Sequence, residues 1–278
     1  MKLLNGKELA EFIKERQAHQ VRSLRQGGGV MPRLAIVQCI DDPVINTYIR
    51  LKKKYGADIE VEVEHHQIQQ SEIATLLQQL NKDESVHGVI IQLPLVDPAQ
   101  TDELVNLVAP EKDVDGLSKD TQFDPATPMA IMWLLAGYNV DLKGKHILLI
   151  GRGKLVGAPL ERILQSSGYD VEVLDREVTD LAAHTKESDI IITATGSPAI
   201  LYPDMVKQGA VVIDAGVASE DGKTVGDVAP ELYERDDLTI TPAKGGVGPL
   251  TVCALFDNVI RAARLAAEPD GQASRTTE

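Results

Sequence analysis

A chain of 278 residues, 43% hydrophobic and 25% charged, holds enough material for two compact cores and has an ordinary globular composition. Its formal net charge of −14 argues against nucleic acid and anionic membrane as partners, because both need a basic face. No apolar run approaches the roughly 20 residues of a membrane span. Residues Met1 to Glu8 turn charged at once and form no signal-type apolar region. The two cysteines, Cys39 and Cys253, lie in apolar stretches and read as buried, reduced thiols, so a reducing, cytoplasmic compartment is expected. No Cys/His spacing resembles a metal site.

Residues 3–25 carry a helical pattern, with Leu9, Phe12 and Ile13 spaced for one buried stripe. Gly27 to Gly29 break it, and Leu34 to Val37 read as a buried strand. Asp41-Asp42-Pro43 starts a helix reaching about Tyr55. That helix gathers Arg50, Lys52, Lys53 and Lys54, the one local concentration of positive charge, where a solvated face is the ordinary reading. Ile59 to Val63 alternates as a strand, a helix capped by Ser71 runs to Leu80, and Val89 to Leu93 forms a strand ended by Pro94. This rhythm implies a mostly parallel sheet covered by helices. Thr127-Pro128 opens a nearly all-apolar, buried helix over 129–135, which contains Trp133. A second rhythm follows Gly144, with strands at 146–150, 170–174, 189–193, 210–214 and 238–240. An amphipathic helix over 251–266 precedes a polar tail.

The most informative local feature is a strand running straight into Gly151-Arg152-Gly153-Lys154-Leu155-Val156-Gly157, with a helix after it. Gly151 permits a tight turn, Gly153 lets backbone approach a pyrophosphate, and the helix N-terminus offers partial positive charge. Gly157 falls one position later than in the common G-x-G-x-x-G. Asp175 ends the next strand, where a carboxylate hydrogen-bonds an adenosine ribose 2′-OH. Thr195 and Val217 follow two further apolar strands, at the strand ends where ligands sit in such sheets. Asp175 favours NAD, whereas Arg152 and Arg176 are candidates to pair with the 2′-phosphate of NADP; the sequence leaves both cofactors open.

Four further stretches carry a resemblance: Tyr48-x-x-x-Lys52; Val86-His-Gly-Val-Ile-Ile-Gln-Leu-Pro-Leu95; Pro110-Glu-Lys-Asp-Val-Asp-Gly116; and Gly245-Gly-Val-Gly-Pro-Leu-Thr251. Together with Leu142-Lys-Gly-Lys145 and its glycine turn, they resemble the bifunctional methylenetetrahydrofolate dehydrogenase/methenyltetrahydrofolate cyclohydrolase family, in the family's order over nearly the whole chain. The resemblance implies a two-domain α/β protein with an active-site cleft between the domains. Its folate-binding domain would be residues 1–138 completed by the helix over 251–268, its Rossmann-like dinucleotide domain 139–250, and its polar tail 269–278. It further implies a homodimer. By position, Tyr48 would stack on the aminobenzoate of the folate and Asp115 would hold the pterin. Lys52 and Gln92 would form the catalytic pair, and Gly248, Pro249 and Leu250 would line the cleft. Val217 and Thr251 would contact the nicotinamide. On their own, Tyr48 and Lys52 are a helix pair, Gln92 a core amide, and Asp113 and Asp115 turn residues.

The sequence departs from the family pattern in a shorter loop between Gly116 and Thr127, in Val44-Ile45 where Ala-Ser is usual, in Gly153 where serine is usual, and in Ala243-Lys244 where Val-Pro is usual. The expected activity is oxidation of 5,10-methylenetetrahydrofolate and hydrolysis of the methenyl product. The alternatives are an NAD-linked dehydrogenase alone, a folate- or dinucleotide-binding protein without turnover, and a dehydrogenase of small acids, against which Tyr48-x-x-x-Lys52 and Gln92-Leu-Pro-Leu95 argue.

Overall fold

A computed structural model describes residues 1–175, 178, 180–220 and 223–268. Arg176 and the expected tail from residue 269 lie outside them. In chain order the elements are β1 (Lys2–Leu3), α1 (Gly6–Gly28), β2 (Arg33–Gln38), α2 (Pro43–Asp58), β3 (Glu62–Gln67), α3 (Ile73–Lys82), β4 (Gly88–Ile91) and α4 (Thr101–Val105). They continue as α5 (Ala126–Gly137), β5 (Ile147–Ile150), α6 (Gly157–Ser166), β6 (Val171–Leu174), α7 (Leu181–Glu187), β7 (Ile190–Thr193), β8 (Val211–Asp214), β9 (Ala218–Glu220), β10 (Lys223–Val225), β11 (Thr239–Ile240) and α8 (Val247–Ala267).

The chain divides into two compact units. One comprises Met1–Phe12 with Pro125–Ala254, the other Ile13–Asp124 with the chain from Leu255 on. In the second unit β3, β2 and β4 form a three-stranded parallel sheet in that order. The central strand β2 is buried from Leu34 to Gln38, and Ile73, Leu77 and Leu80 of α3 pack into the same core as Val37, Val89 and Ile91. Each such aliphatic side chain contributes roughly 1.5–3 kcal/mol on burial.

In the first unit six parallel strands lie in the order β1-β11-β8-β7-β5-β6. Strands β5 and β7 are buried at every residue, which matches their continuous Ile/Leu runs. The chain reverses its winding between β5 and β7, and the ends of those strands flank the crevice where open α/β sheets take ligands. Helix α5 buries Ala126, Pro128, Ala130, Ile131, Leu134 and Leu135, as its apolar composition requires.

Several local expectations are corrected. Phe12 is 67% exposed, and the buried face of α1 runs through Ala10, Ile13, Gln17 and Val21, a cleaner 3.6-residue period. The strand expected at 59–63 begins at Glu62. Ile59 and Val61 are buried as the chain leaves α2, so their alternation records packing rather than ladder pairing. Ser71 does not cap α3. A short 3₁₀ turn, Gln70–Glu72, precedes that helix, and Glu72 accepts from the Gln69 amide. Helix α8 starts at Val247, four residues before the expected start. Cys253 is buried, whereas Cys39 is only half-buried; neither forms a disulfide among the described residues.

Candidate active site

Helix α2 is fixed at its start by Asp42, whose Oδ1 accepts from the amides of Val44 (2.8 Å) and Ile45 (3.1 Å). Pro43, which has no N–H to satisfy, occupies the first turn. Ile45, Ile49 and Gly56 form the buried face of the helix. Tyr48, 38% exposed, and Lys52, half-buried, lie one turn apart beside that face. Gln92 follows β4 directly, and its amide donates to Val37 (2.8 Å), continuing the ladder with β2. Lys52 Nζ donates to Gln92 Oε1 at 2.8 Å, while Gln92 Nε2 donates to the Leu93 carbonyl at 3.2 Å. Both ends of the Gln92 amide are thereby assigned.

Asp115 sits in a turn held on three sides. The Val89 amide donates to Lys112 (2.8 Å), tying the segment along β4. Gly116 adopts φ +71°, a left-handed conformation that glycine takes without strain, and donates to the Asp113 carbonyl. Asp113 is buried, and its Oδ2 accepts from the Ser118 amide at 2.8 Å. The turn reading therefore suits Asp113. Asn258 of α8 donates to the carbonyls of Val114 (2.9 Å) and Asp124 (3.0 Å), bracketing the loop. Nothing in the sequence marked Asn258, which is one polar residue in an apolar helix face.

Lys52 and Asp115 are electrostatically coupled. Loss of hydration holds the Lys52 ammonium below the ordinary lysine range, and the Asp115 charge opposes that effect. Burial pushes the Asp115 carboxyl up, Lys52 draws it down, and Asp113 adds a smaller upward push. Both side chains keep partial solvent access, which moderates the two shifts. Burial thus weighs against the charged form of both groups, while the charge of each favours that of the other.

In the other unit β5 runs into Gly151, whose φ of +101° and contact with the Ala194 backbone leave no room for a side chain. A Cβ on Gly157 would overlap the carbonyl oxygen of Gly151, so the first turn of α6 and the end of β5 pack backbone against backbone. Around Gly153 there is open space. The N-cap of α6, Val156, offers no side-chain acceptor. This cradle fits the pyrophosphate of a dinucleotide, an anion seated over a helix N-terminus with no Cβ in its way. Asp175 follows β6 directly, as expected. Arg152, however, is engaged by Glu161 of α6, with Nε to Oε2 at 2.8 Å and Nη2 to Oε1 at 3.2 Å.

Thr195, at the end of β7, is held by a residue that the sequence reading passed over. Its amide donates to Oδ2 of Asp227 at 2.7 Å, and its Oγ1 accepts from the Ser197 amide. Asp227 is fully buried, its Oδ1 has no hydrogen-bond partner among the described residues, and its own amide donates to Asp214 Oδ1. Asp214 also accepts from the amides of Gly216 and Val228. A Cβ on Gly216 or Gly226 would overlap the Asp227 or Asp214 carboxyl respectively, so both glycines are needed where they stand. Burial pushes the Asp227 carboxyl up, and the Asp214 charge adds to the push. Val217 is 61% exposed. Gly248 is exposed and Pro249 half-buried, but Leu250, expected to line a cleft, is wholly buried. Thr251 is half-buried, and its hydroxyl donates to the Val247 carbonyl at 3.4 Å.

A doubly wound parallel sheet with a glycine cradle after β5 and a carboxylate after β6 is the fold of nucleotide-dependent dehydrogenases. It is joined here to a second α/β unit bearing the lysine–glutamine–aspartate cluster. The chain belongs to the tetrahydrofolate dehydrogenase/cyclohydrolase family. The catalytic-domain profile of that family matches residues 4–115, and its NAD(P)-binding-domain profile matches residues 125–267. The bifunctional protein FolD of Nautilia profundicola is 37% identical, with 95% of this chain and 98% of that one covered. The crystal structure of the bifunctional FolD methylenetetrahydrofolate dehydrogenase/cyclohydrolase of Campylobacter jejuni is 36% identical, covers 95% and 99% of the two chains and superposes with a TM-score of 0.89. That of Trypanosoma brucei, complexed with NADP and an inhibitor, is 28% identical over 96% and 98%, with a TM-score of 0.90. Among the described residues no helix is long and apolar enough to cross a membrane.

Proposed function

We propose that the chain oxidises 5,10-methylenetetrahydrofolate to the 5,10-methenyl form with a nicotinamide cofactor and hydrolyses that product to 10-formyltetrahydrofolate. The observation that carries the reading is the hydrogen bond from Lys52 to Gln92 beside Asp115, in a member of this family whose first unit has an intact dinucleotide cradle. When bound, the nicotinamide ring accepts the hydride that leaves the carbon bridging N5 and N10. Gly151, Gly153 and Gly157 would hold its pyrophosphate, with Thr195, Val217 and Thr251 toward the nicotinamide end.

For oxidation, the protein contributes positioning: Tyr48 against the aminobenzoate and Asp115 on the pterin. A carboxyl kept protonated by burial donates to a ring nitrogen, and an ionised one accepts from a ring N–H. For hydrolysis, water adds to the methenyl carbon and gives its proton to the neutral amine of Lys52. The same proton passes to N5 as the C–N5 bond breaks, and the remaining hydroxyl proton leaves to solvent as the C=O of the N10 formyl group forms. Gln92 orients this exchange. Its Oε1 takes one N–H of Lys52, and because its Nε2 is committed to Leu93, it offers the lysine lone pair no competing donor.

We further propose a homodimer acting in the cytoplasm. The reading is tested by the initial rate of reduced-cofactor formation from 5,10-methylenetetrahydrofolate, with NAD and NADP run side by side and methenyl absorbance followed. Turnover with a transient methenyl signal supports both activities. Methenyl accumulating beyond its spontaneous hydrolysis removes the hydrolase, and no turnover with either cofactor refutes the reading.

A further inference from the structure

We propose that Asp227 is a positioning residue for hydride transfer, which fixes the spacing between Thr195 and Val217 and serves the oxidation alone. The inference rests on the function proposed above, in which those two residues stand toward the nicotinamide end. The segment after β7 is fastened to Asp227 at both of its ends. The Thr195 amide donates to Asp227 Oδ2 at 2.7 Å, and the Ile200 amide donates to the Asp227 carbonyl at 2.7 Å. Between these anchors Gly196 and Ala199 take left-handed conformations, with φ of +66° and +53°. An alanine adopts that shape at a cost of about 1–2 kcal/mol, so the two anchors hold the segment in a form it would not keep by itself.

Asp214, at the end of β8, ties Asp227 to the Val217 side. Its Oδ1 accepts from the amides of Gly216 (3.0 Å) and Asp227 (3.1 Å), its Oδ2 accepts from that of Val228 (3.1 Å), and its own amide donates to Thr241 Oγ1 (2.9 Å). Gly216 leads directly into Val217, and β9 and β10 pair antiparallel between there and Gly226. A Cβ on Gly196 would come within 3.3 Å of the Val217 carbonyl oxygen, so the segment after β7 lies against the Val217 backbone. Asp227 sets one side of that contact directly and the other through Asp214. Stability alone does not call for a carboxylate here. Asp227 is fully buried with its Oδ1 lacking a hydrogen-bond partner among the described residues, an unfavourable state for a charged group. Hydride transfer is the step that depends on such spacing, because a misplacement of about 1 Å costs on the order of a hundred-fold in rate. The pyrophosphate cradle from Gly151 to Gly157 grips the dinucleotide independently, and the hydrolysis assigned to Lys52 consumes no dinucleotide.

The test compares the full-length parent with Asp227→Ala, Asp227→Asn and Gly196→Ala. Three quantities are read: kcat for oxidation of 5,10-methylenetetrahydrofolate with NADP and with NAD, calorimetric affinity for each dinucleotide, and hydrolysis of supplied 5,10-methenyltetrahydrofolate without dinucleotide. Asp227→Ala should lower the oxidation kcat about ten- to a hundred-fold with either cofactor. Its dinucleotide affinity should change by less than about three-fold, because the helix terminus at the pyrophosphate is untouched. Its hydrolysis should match the parent, which also shows that the variant is folded. Asp227→Asn keeps a carbonyl acceptor for the Thr195 amide and should bring the oxidation kcat back to within about three-fold of the parent. Gly196→Ala pushes a methyl toward the Val217 carbonyl without touching either buried carboxylate, and it should show the same split between oxidation and hydrolysis. Parent-level oxidation in Asp227→Ala, or in Gly196→Ala where Asp227→Ala does not fold, overturns the proposal. Oxidation and hydrolysis falling together in a folded variant overturn it as well, as does an Asp227→Asn no better than Asp227→Ala. Absence of oxidation by the parent with either cofactor overturns the proposed function itself, and this inference with it.

Discussion

Asn258 Nδ2 lies 2.9 Å from the carbonyl oxygen of Val114, the residue before Asp115. The same amide reaches the Asp124 carbonyl, so one side chain of α8 holds both ends of the loop that carries the proposed pterin-binding acid. Asn258→Ala leaves two carbonyls without their donor in a buried place, which costs about 1–3 kcal/mol. Urea unfolding should register that loss. The folate KM should rise while the NAD affinity of the purified protein holds, because the dinucleotide cradle belongs to the other unit. Equal stability and KM in the variant would show that the loop does not depend on Asn258.

Lys52 sets the pH dependence of hydrolysis. A base acts in its neutral form, and the neutral fraction of an amine grows with pH, so the rate should climb through an ascending limb. Its midpoint should lie below 10.5, because burial lowers the lysine. Lys52→Met should abolish hydrolysis with folate binding still measurable. Asp115→Asn removes the charge that favours the ammonium and should move the limb to still lower pH. A limb that stays put in Asp115→Asn would mean that Asp115 carries its proton throughout.

Asp227 gives a stability signature of the opposite sign. Its carboxyl is raised above 3.8 by burial and by Asp214, so over that interval the folded protein binds a proton that the unfolded chain releases. The stability contributed by this group is complete below pH 3.8 and declines as pH rises through the folded value. Asp227→Asn keeps an acceptor for the Thr195 amide and abolishes the titration. Its stability relative to the parent should therefore improve as pH rises from 3.8 in urea unfolding, and parallel curves would count against a raised Asp227.

The contrast between these residues shows what a sequence can disclose. Gly151, Gly157 and the buried runs of β5 and β7 were readable, because backbone crowding and full burial leave a direct mark on residue type. Tyr48, Lys52, Gln92 and Asp115 were readable only through their joint order along the chain, since each alone is an ordinary helix, strand or turn residue. Asn258 and Glu161 were not readable. The partners of Asn258 are carbonyl groups of a distant loop, and the pairing of Glu161 with Arg152 depends on how a glycine turn swings an arginine back over its own helix. Asp227 pairs across strands with Asp214, thirteen residues earlier, and only the missing space at Gly216 and Gly226 reveals the pair as built. Phe12 failed for a related reason: period alone cannot choose between two faces that differ by one residue.

Asp175 should read the adenosine ribose. Asp175→Ser replaces a carboxylate with a hydroxyl that tolerates a 2′-phosphate, so the NADP-to-NAD ratio of kcat/KM should rise about ten-fold or more, on the scale of a lost charge-assisted bond and a removed repulsion. An unaltered ratio would place the ribose elsewhere.

Gly157→Ala tests the cradle itself. A Cβ at this position would overlap the Gly151 carbonyl oxygen and crowd the Arg152 Cα, and both are backbone atoms that cannot swing aside as a flexible side chain would. The turn between β5 and α6 must therefore open, at an overpacking cost of about 1–3 kcal/mol. The movement pulls the α6 N-terminus away from the position where its amides meet a pyrophosphate. Dinucleotide affinity should fall at least ten-fold for NAD and NADP alike, with folate binding to the other unit retained. Gly153→Ala is the matched comparison, since a Cβ there meets nothing within 4 Å and costs the fold little. Any loss of affinity in Gly153→Ala then reports a ligand occupying that open space. Full dinucleotide affinity in Gly157→Ala would mean that the pyrophosphate does not sit on this turn.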